Sequence, residues 1–410
     1  MEREITLSKL NDVQQLAKEL NREDTFIPEI EIKRESLKSI TPFLKRKSFK
    51  RVVLIADDQT FNVAGEQLLG FIKEEDIDIT SVTLKPNRHG QVNADEVSVV
   101  QVFSEIPNNT DVLVAVGSGT IHDIVRFVGY KMNIPFVSVP TAASVDGFTS
   151  KGAPLIFRGV KETVQTSSPI AVFADVYILV NAPKEMTAAG FGDILGKYTS
   201  LLDWKISDLV GGEPYNQLAA SMTRKSLTSC VENAEKIANA DEEGITILMN
   251  ALIESGIVML LLDFSRPASG AEHHLSHYWE MDLLEKDEKQ LLHGAKVGVS
   301  TTIITELYKR MATELDGAHF DLPERYKEAF LNNWSEIKAL IDELPHQDVL
   351  KNMLKSVGGP SSTKELGISD EIVQASLNEA FLLRDRCTGL LLLNQIKRES
   401  VTYPISKLPL

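Results

Sequence analysis

The sequence predicts an α/β amino-terminal domain built on a parallel sheet, followed by an all-α carboxy-terminal domain. Short apolar runs alternate with helical patterns over residues 51–140, which is typical of a doubly wound parallel sheet. After residue 183, apolar positions recur at helical spacing nearly to the end, without clear strand runs. We therefore expect domains at residues 1–183 and 184–410, with ligands bound in the cleft between them.

The predicted elements of the first domain follow one another regularly. Residues 1–50 predict one or two polar, amphipathic helices that lead into the first strand. Apolar runs predict four main strands, at residues 51–57, 79–84, 111–116 and 135–140. Helical patterns lie between them, at residues 62–73, 94–105 and 121–132. Two further stretches, 153–161 and 170–180, predict extra strands.

Composition and charge argue against several classes of protein. The 43 Lys and Arg residues against 58 Asp and Glu give a net charge of −15, which disfavours a nucleic-acid partner. Cys230 and Cys387 form no CxxC pair, so a reducing cytoplasm is expected rather than a disulfide scaffold. The first twenty residues lack the pattern of a secretory signal. Polar residues interrupt the apolar stretch from Ile245 to Phe264, which predicts a buried core helix and no membrane insertion.

The third predicted strand ends in a glycine turn that opens the next helix. The turn consists of Gly117, Ser118, Gly119, Thr120 and Ile121. Glycines let a pyrophosphate approach the backbone, and free amides at a helix start attract negative charge. The turn lacks the third glycine of the dinucleotide fingerprint and follows the third strand, so a turn without a ligand is an equal alternative. A phosphate site here would make the first domain a Rossmann-like, dinucleotide-binding domain.

Other strand ends also carry candidate polar residues. Asp57 closes the first strand, where a carboxylate can accept hydrogen bonds from an adenosine ribose; a solvated turn residue is the alternative. Residues 140–146 follow the fourth strand, and their hydroxyls either line the same cleft or cap the next segment. Asp146 is the more suggestive member, because ligands of open α/β sheets lie beyond the carboxyl ends of strands.

Histidines cluster in the predicted helical domain. Four of the eight lie within residues 273–293. His273 and His277 are four residues apart and share a helix face, whereas His274 is turned away by about 100°. Asp193 offers a carboxylate, although it could instead cap a helix. Two imidazoles and one carboxylate from separate helices predict a catalytic site for zinc, nickel or iron(II), while ordinary buried or exposed histidines remain the alternative.

Five motifs connect these features to a known family. They read GSGTIHD, PTAASVDGFTSKGAPL, GFGDILGKYTSLLDW, SRPASGAEHHLSH and LLHGAKVGV. In this order, over residues 50–310, they resemble the glycerol-1-phosphate dehydrogenase family in its bacterial branch. The wider resemblance is to the superfamily of iron-type alcohol dehydrogenases, glycerol dehydrogenase and dehydroquinate synthase, which has the same two-domain plan. The first fifty and last hundred residues match less clearly and are assigned no catalytic role.

The resemblance implies a role for each matching position. The cofactor pyrophosphate would be held by the glycine turn, Gly117 to Ile121, with Asp57 near the adenosine. The nicotinamide half would contact Thr141, Ala142, Ala143, Ser144 and Ser150. The metal ligands would be Asp193, His273 and His293, and the substrate would face Asp146, Asp193 and His277. The resemblance also implies NAD or NADP, a zinc or nickel ion, and a homodimer.

The implied reaction is reduction of dihydroxyacetone phosphate to glycerol 1-phosphate. The metal would polarise the ketone, and His277 would relay the proton, unless it only orients its neighbours. Lys151, Lys197 and Arg266 lie beside the motifs and are candidates for the substrate phosphate, with a surface ion pair as the alternative for each. Arg266 is favoured, because a guanidinium can hold phosphate with two parallel hydrogen bonds.

The residues alone do not exclude three other functions. A glycerol dehydrogenase would share the metal and cofactor but would not bind phosphate. A lyase similar to dehydroquinate synthase would use the nicotinamide transiently, although Asp193 stands where that enzyme's pattern has Glu. A metal-stabilised structural protein is the third. The metal, the choice between NAD and NADP, the phosphate ligand and the oligomeric state are likewise open.

Overall fold

The structure, a computed structural model, describes residues 7–316 and 322–410. Residues 1–6 of the predicted amino-terminal extension and residues 317–321 of the predicted helical domain lie outside these ranges.

The strands all lie in the first half of the described chain. They are β1 Glu29–Lys33, β2 Arg51–Asp57, β3 Asp78–Leu84, β4 Val112–Gly117, β5 Phe136–Pro140, β6 Gly152–Phe157, β7 Val160–Gln165 and β8 Ala171–Asp175. Six of them form one sheet in the order β1-β8-β5-β4-β2-β3, in which every neighbouring pair is parallel. The other two, β6 and β7, form an antiparallel hairpin. The predicted parallel α/β region is confirmed.

Helices make up most of the remaining described chain. They are α1 Leu7–Glu19, α2 Leu37–Arg46, α3 Asp58–Thr60, α4 Glu66–Lys73, α5 Glu96–Glu105, α6 Gly119–Met132, α7 Val176–Val180, α8 Lys184–Leu195, α9 Lys197–Gly211, α10 Gln217–Glu232, α11 Ala234–Ala238, α12 Glu242–Leu262, α13 Ala271–Glu285, α14 His293–Glu314, α15 Glu324–Asp342, α16 Gln347–Ser356, α17 Thr363–Leu366, α18 Asp370–Glu379 and α19 Gly389–Ile396. A π-helical turn, Phe61–Gly65, joins α3 to α4, and a 3-10 turn, Ala380–Leu383, follows α18. The mostly helical carboxy-terminal part is therefore confirmed as well.

The sheet is covered by helices on both faces, because alternate residues of each strand point to opposite sides. On β2, Val52 and Leu54 pack with α2 and α4, whereas Val53 and Ile55 pack with α5 and α6. All four side chains are buried. Parallel strands that are covered on both faces read as continuous apolar runs, which explains why the sequence identified the central strands so clearly.

The order of strands reverses between β2 and β4. From β2 the chain moves outward to β3, and then returns to place β4 on the other side of β2. In open parallel sheets, such a reversal leaves a crevice at the carboxyl ends of the two strands, where ligands bind. The glycine turn follows β4 and Asp57 ends β2, so both lie at this reversal.

Two sequence predictions need correction. Residues 1–50 were expected to be helical, but β1 lies between α1 and α2 and pairs with β8, with Ile30 beside Val172. A five-residue edge strand with charged alternate positions gives too short a pattern to identify. The predicted strand at 170–180 ends at Asp175, whose side chain accepts a hydrogen bond from Tyr177 N and starts α7.

The described residues pack into two compact units. Unit 1 contains the residues up to Gly190 together with Glu235–Asp263, and unit 2 contains Phe191–Ala234 and the residues from Phe264 onward. The sequence division at residue 183 placed all later residues in the second domain, but α12 packs against α1, α7 and β1 in unit 1. Periodicity indicates that a helix is buried without indicating which elements bury it.

Helix α12 is long and apolar enough to cross a membrane by length and composition. Its 18-residue window has a mean hydropathy of 2.1, and 78% of that window is buried inside the protein. Asp241 caps the helix by accepting a hydrogen bond of 2.6 Å from Gly244 N. This burial fits the core helix that the sequence predicts.

Candidate metal centre and glycine turn

Close packing of two helices brings Asp193 and His293 together. Asp193 lies in the last turn of α8 and is fully buried, and His293 is the first residue of α14. A Cβ atom at Gly192 would collide with the carbonyl oxygen of Gly294. Glycine at position 192 is therefore what lets α8 approach the start of α14.

The third member of the group, His273, comes from the first turn of α13. Its Nε2 atom lies 3.6 Å from Asp193 Oδ1, and His293 Nε2 lies 4.0 Å from the same oxygen. One potential ligand atom from each of the three residues lies within 4.8 Å of the others. The structure thus gathers the three residues that the resemblance implies as metal ligands.

The donor set suits a divalent transition metal. Ligand atoms about 2.0–2.2 Å from a tetrahedral zinc ion are roughly 3.3–3.6 Å apart, close to the 3.6 and 4.0 Å that separate Asp193 Oδ1 from the two imidazole nitrogens. Two imidazole nitrogens and one carboxylate oxygen are also the donors that zinc, nickel and iron(II) accept. Three protein ligands leave a position for a substrate, as in catalytic rather than structural sites.

The charges around this group favour an ionised Asp193. Burial by itself would raise the pKa of its carboxyl, but Lys197, His273 and His293 outweigh that effect and hold the pKa well below its ordinary value. For His273, burial by itself would lower the pKa, but hydrogen bonds and charges from Asp193 and Glu272 outweigh it and raise the pKa to about 9. The centre therefore attracts a cation, which would take the place of the proton on His273 Nε2.

Glu272 is a contact of the centre that the sequence analysis did not identify. Its Oε1 accepts a hydrogen bond of 2.7 Å from His273 Nδ1, and its side chain is fully buried. A carboxylate next to a histidine in sequence is too common a pattern to indicate this role. Only the direction of the side chain in the first turn of α13 reveals it.

The other two histidines of α13 differ in position. The His277 ring centroid lies 5.8 Å from that of His293 and 6.2 Å from that of His273, and its Nδ1 is 3.5 Å from Glu280 Oε2. His274 is buried away from the group, and burial lowers its pKa to about 3. Helical geometry therefore separates His274 from its neighbours as expected.

The three basic residues considered for the substrate phosphate all have partners within their own unit. Lys151 forms an ion pair of 2.9 Å with Asp263 in unit 1. In unit 2, Lys197 is buried, donates to Ala268 O at 3.1 Å and lies 3.8 Å from Asp193. Arg266 pairs through Nε with Glu213 and stacks on the Phe264 ring.

The glycine turn has the geometry of an anion-binding helix start. Ser118 is the N-cap of α6, and its side chain makes no capping hydrogen bond. A Cβ atom at Gly117 would lie 2.5 Å from Ile121 Cγ1, and one at Gly119 would lie 3.0 Å from Val145 Cγ2. The uncapped first turn, which includes Thr120, leaves backbone amides available to a phosphate.

A buried histidine that the sequence analysis did not consider braces this turn. His122 Nδ1 donates to Ser118 O at 2.8 Å, and Ser138 Oγ of β5 donates to His122 Nε2 at 2.7 Å. Burial lowers the pKa of His122 to about 3, so the ring is neutral. Only the pairing of β4 with β5 places Ser138 beside the turn, and no sequence pattern indicates it.

The segment after β5 continues from the same end of the sheet. Thr141 N donates to Gly117 O at 3.0 Å, which ties the segment to the glycine turn. Thr141, Ala142, Ala143, Ser144 and Ser150 are all buried. Ser144 Oγ has no hydrogen-bond partner among the described residues, so a ligand hydroxyl or amide would satisfy it.

The two carboxylates predicted at strand ends have protein partners. Asp57 Oδ1 accepts from Thr60 N at 2.8 Å in a capping box that starts α3. Asp146 Oδ2 accepts from Ser255 Oγ of α12 at 2.8 Å. Each carboxylate thus has a local structural task, and its contact with a ligand stays a prediction.

Comparison with known proteins agrees with this arrangement. Residues 31–183 match the model of the iron-containing alcohol dehydrogenase family. The chain is 47% identical over 378 residues to a Geobacillus stearothermophilus protein named glycerol-1-phosphate dehydrogenase (NAD(P)+), covering 91% of this chain and 94% of the relative. A protein of the same name from Geobacillus thermodenitrificans is 46% identical, with 94% and 98% of the two chains covered.

The fold is also found among solved structures. Glycerol dehydrogenase from Schizosaccharomyces pombe superposes with a TM-score of 0.66 at 18% identity, over 91% of this chain and 86% of the other. At that identity the likeness shows the fold alone.

Proposed function

Because the chain belongs to the glycerol-1-phosphate dehydrogenase family, we propose that it reduces dihydroxyacetone phosphate to sn-glycerol 1-phosphate with NADH or NADPH. The observation that carries this proposal is the group of Asp193, His273 and His293 within coordination reach, in a chain that shares 47% identity with such an enzyme. The reverse reaction uses the same groups.

Each part of the site has a task in this reaction. Asp193, His273 and His293 hold the metal, which supplies a Lewis acid for the ketone oxygen. The uncapped amides at the start of α6 bind the cofactor pyrophosphate. His277 lies beside the two histidine ligands and delivers the proton to the reduced oxygen; its alternative task is to orient them.

The substrate assay is the decisive experiment. Purified enzyme with zinc or nickel should oxidise NADH or NADPH with dihydroxyacetone phosphate far faster than with dihydroxyacetone. One cofactor should be consumed for each product, and chiral analysis should identify the product as sn-glycerol 1-phosphate. Comparable turnover of the unphosphorylated ketone would instead identify a glycerol dehydrogenase, and consumption of the ketone without net oxidation of NADH would identify a lyase.

Neither alternative is favoured by the comparisons. Two solved structures, one named glycerol dehydrogenase and the other probable glycerol dehydrogenase, are 18% and 20% identical, which is too distant to indicate the substrate of this chain. The relatives at 46% and 47% identity both carry the phosphorylated substrate in their name.

Arg266 is our candidate for the substrate phosphate. The contact with Glu213 uses its Nε atom, and a phosphate would engage the two terminal nitrogens. Replacing Arg266 with Ala should raise KM for dihydroxyacetone phosphate at least about tenfold, since charge-assisted hydrogen bonds are lost, and should leave KM for NADH nearly unchanged. Lys151→Ala, which removes a cation already paired with Asp263, is the matched control. Equal effects of Arg266→Ala on both constants would remove Arg266 from this role.

We further propose that the resident metal is zinc or nickel and that the enzyme works as a cytoplasmic homodimer. Metal analysis of protein purified without added salts tests the first point. Sedimentation velocity tests the second, and a monomer at working concentration would contradict it.

A further inference from the structure

We propose that Glu272 is a positioning residue that fixes the tautomer and orientation of His273 for metal binding. The inference rests on the proposed function only in that His273 binds a metal with Asp193 and His293.

Three donors hold the Glu272 carboxylate in place. Its Oε1 accepts from His273 Nδ1 at 2.7 Å and from Gly270 N at 2.6 Å, and its Oε2 accepts from Thr199 Oγ1 at 2.6 Å. The residue is fully buried. A buried carboxylate with three such donors has little freedom to move, so it presents one fixed acceptor to the imidazole.

The hydrogen bond determines which ring nitrogen is free. A carboxylate only accepts, so the proton of the bond lies on His273 Nδ1. A metal-bound imidazole therefore uses the lone pair of Nε2. That atom is the one 3.6 Å from Asp193 Oδ1. Metal-ligating histidines commonly donate their other N–H to a carboxylate in this way.

Neighbouring elements pack closely around Glu272. A Cβ atom at Gly270 would lie 2.6 Å from Asp203 Oδ2 and 2.9 Å from Glu272 Oε2. Ser300 of α14 donates its hydroxyl to the Glu272 carbonyl at 2.7 Å, which fixes the backbone. Thr199 lies on α9, so the carboxylate and its residue are held from two helices besides α13.

Two substitutions separate the charge of Glu272 from its hydrogen bond. In Glu272→Gln, the amide oxygen can accept from His273 and Gly270 while the amide nitrogen donates to Thr199 Oγ1. The Thr199 hydroxyl can then donate to Gly196 O, 3.2 Å away. This variant keeps the orientation and loses the charge, whereas Glu272→Ala loses both.

The measurement is the zinc Kd, by titration of metal-free protein against a competing chelator. We expect zinc to bind about tenfold more weakly to Glu272→Gln and up to about a hundredfold more weakly to Glu272→Ala. Glu280→Gln is the control. Glu280 is another largely buried carboxylate of α13, but it lies beside His277 and Lys296 rather than a ligand, so its loss should leave the zinc Kd unchanged.

Circular dichroism and thermal unfolding in chelator show that each variant is folded. If Glu272→Ala does not fold, Thr199→Val takes its place, because it removes one of the hydrogen bonds that hold the carboxylate. Thr199→Val should weaken zinc binding less than Glu272→Gln does.

Folded Glu272 variants that bind zinc like the parent would overturn the proposal and leave the metal centre intact. An equal loss in Glu280→Gln would overturn it too, since the effect would then be one of net charge. A parent chain that binds neither zinc nor nickel would instead remove the metal centre and the proposed function.

Discussion

His293 is the most exposed of the three candidate metal ligands, with 27% of its side chain accessible, whereas Asp193 is fully buried. It begins α14, where Leu292 is the N-cap, and it contributes little to the surrounding core. Its loss would therefore open little space in the core. A substitution at this position should therefore separate catalysis from stability more cleanly than one at Asp193.

We predict that His293→Ala loses bound metal and nearly all ketone reduction. The melting temperature measured in chelator should fall by no more than about 2–3 °C, because the side chain is partly exposed. Metal content, turnover and differential scanning calorimetry measure the three effects. His89→Ala, outside the centre, should match the parent in each. Unfolding of His293→Ala without any metal loss in the folded fraction would favour a structural role.

At the scale of elements, the junction of β4 and α6 depends on the absence of a side chain at Gly117. A methyl group there would lie 2.5 Å from Ile121 Cγ1 and 2.8 Å from Ile121 Cβ, so the first turn of α6 must shift. A shift of the turn moves the amides that we assign to the pyrophosphate.

We therefore expect Gly117→Ala to raise KM for NADH by about tenfold or more, with a much smaller change in KM for the ketone. Initial-rate kinetics with each substrate varied in turn measure this. Gly70→Ala in α4 is the control, because no heavy atom beyond its chain neighbours and its own helix backbone lies within 4 Å of the added carbon. It should leave both constants unchanged and stabilise the protein by up to about 1 kcal/mol. A parallel rise in both constants for Gly117→Ala would point to general distortion.

The amino-terminal ends of β2 and β4 are joined by Asp111. Its carboxylate accepts hydrogen bonds from Lys50 N and Arg51 N at 2.9 Å each, and from the Arg51 guanidinium at 2.6 Å. The Arg51 side chain and the Lys50 amide lower the pKa of Asp111 to about 2. Because the folded pKa lies below the unfolded value, this stabilisation is present above the unfolded pKa and is lost as pH falls toward the folded one.

Asp111→Asn should accordingly be less stable than the parent near pH 6. The difference between the two free energies of unfolding should narrow as pH falls to about 3. Urea unfolding of both proteins across that range measures the difference in free energy. A gap that stays constant with pH would show that the charge of Asp111 contributes nothing.

At the scale of the whole molecule, the metal should act as a folding ligand as well as a catalyst. All three candidate ligands lie in unit 2, on α8, α13 and α14. Free zinc at about 100 times its Kd should stabilise the folded state by about 2.7 kcal/mol. The melting temperature should then rise by about 5–10 °C. Thermal scans with and without zinc test this; His293→Ala should show no rise, and an equal rise in that variant would mean that zinc binds elsewhere.

How far the sequence predicted this molecule depended on the range of each interaction. The central strands and the spacing of His273 and His277 are local patterns, so the sequence identified them. The pairing of β1 with β8, which joins Ile30 to Val172, is not local, and neither is the packing of α12 in unit 1. The contacts of Glu272 and His122 depend on side-chain direction after folding, which no spacing rule reports.

The return of α12 to unit 1 has a consequence for how the protein is made. The chain leaves unit 1 after Gly190, re-enters it at Glu235 and leaves again after Asp263. On a ribosome, α12 emerges only after α9 and α10, so unit 1 cannot be completed before part of unit 2 has been synthesised. Each unit consists of two separate stretches of the chain. Expression of either unit alone therefore requires that the coding sequence between its two stretches be removed and the ends joined, which a single stop codon cannot achieve.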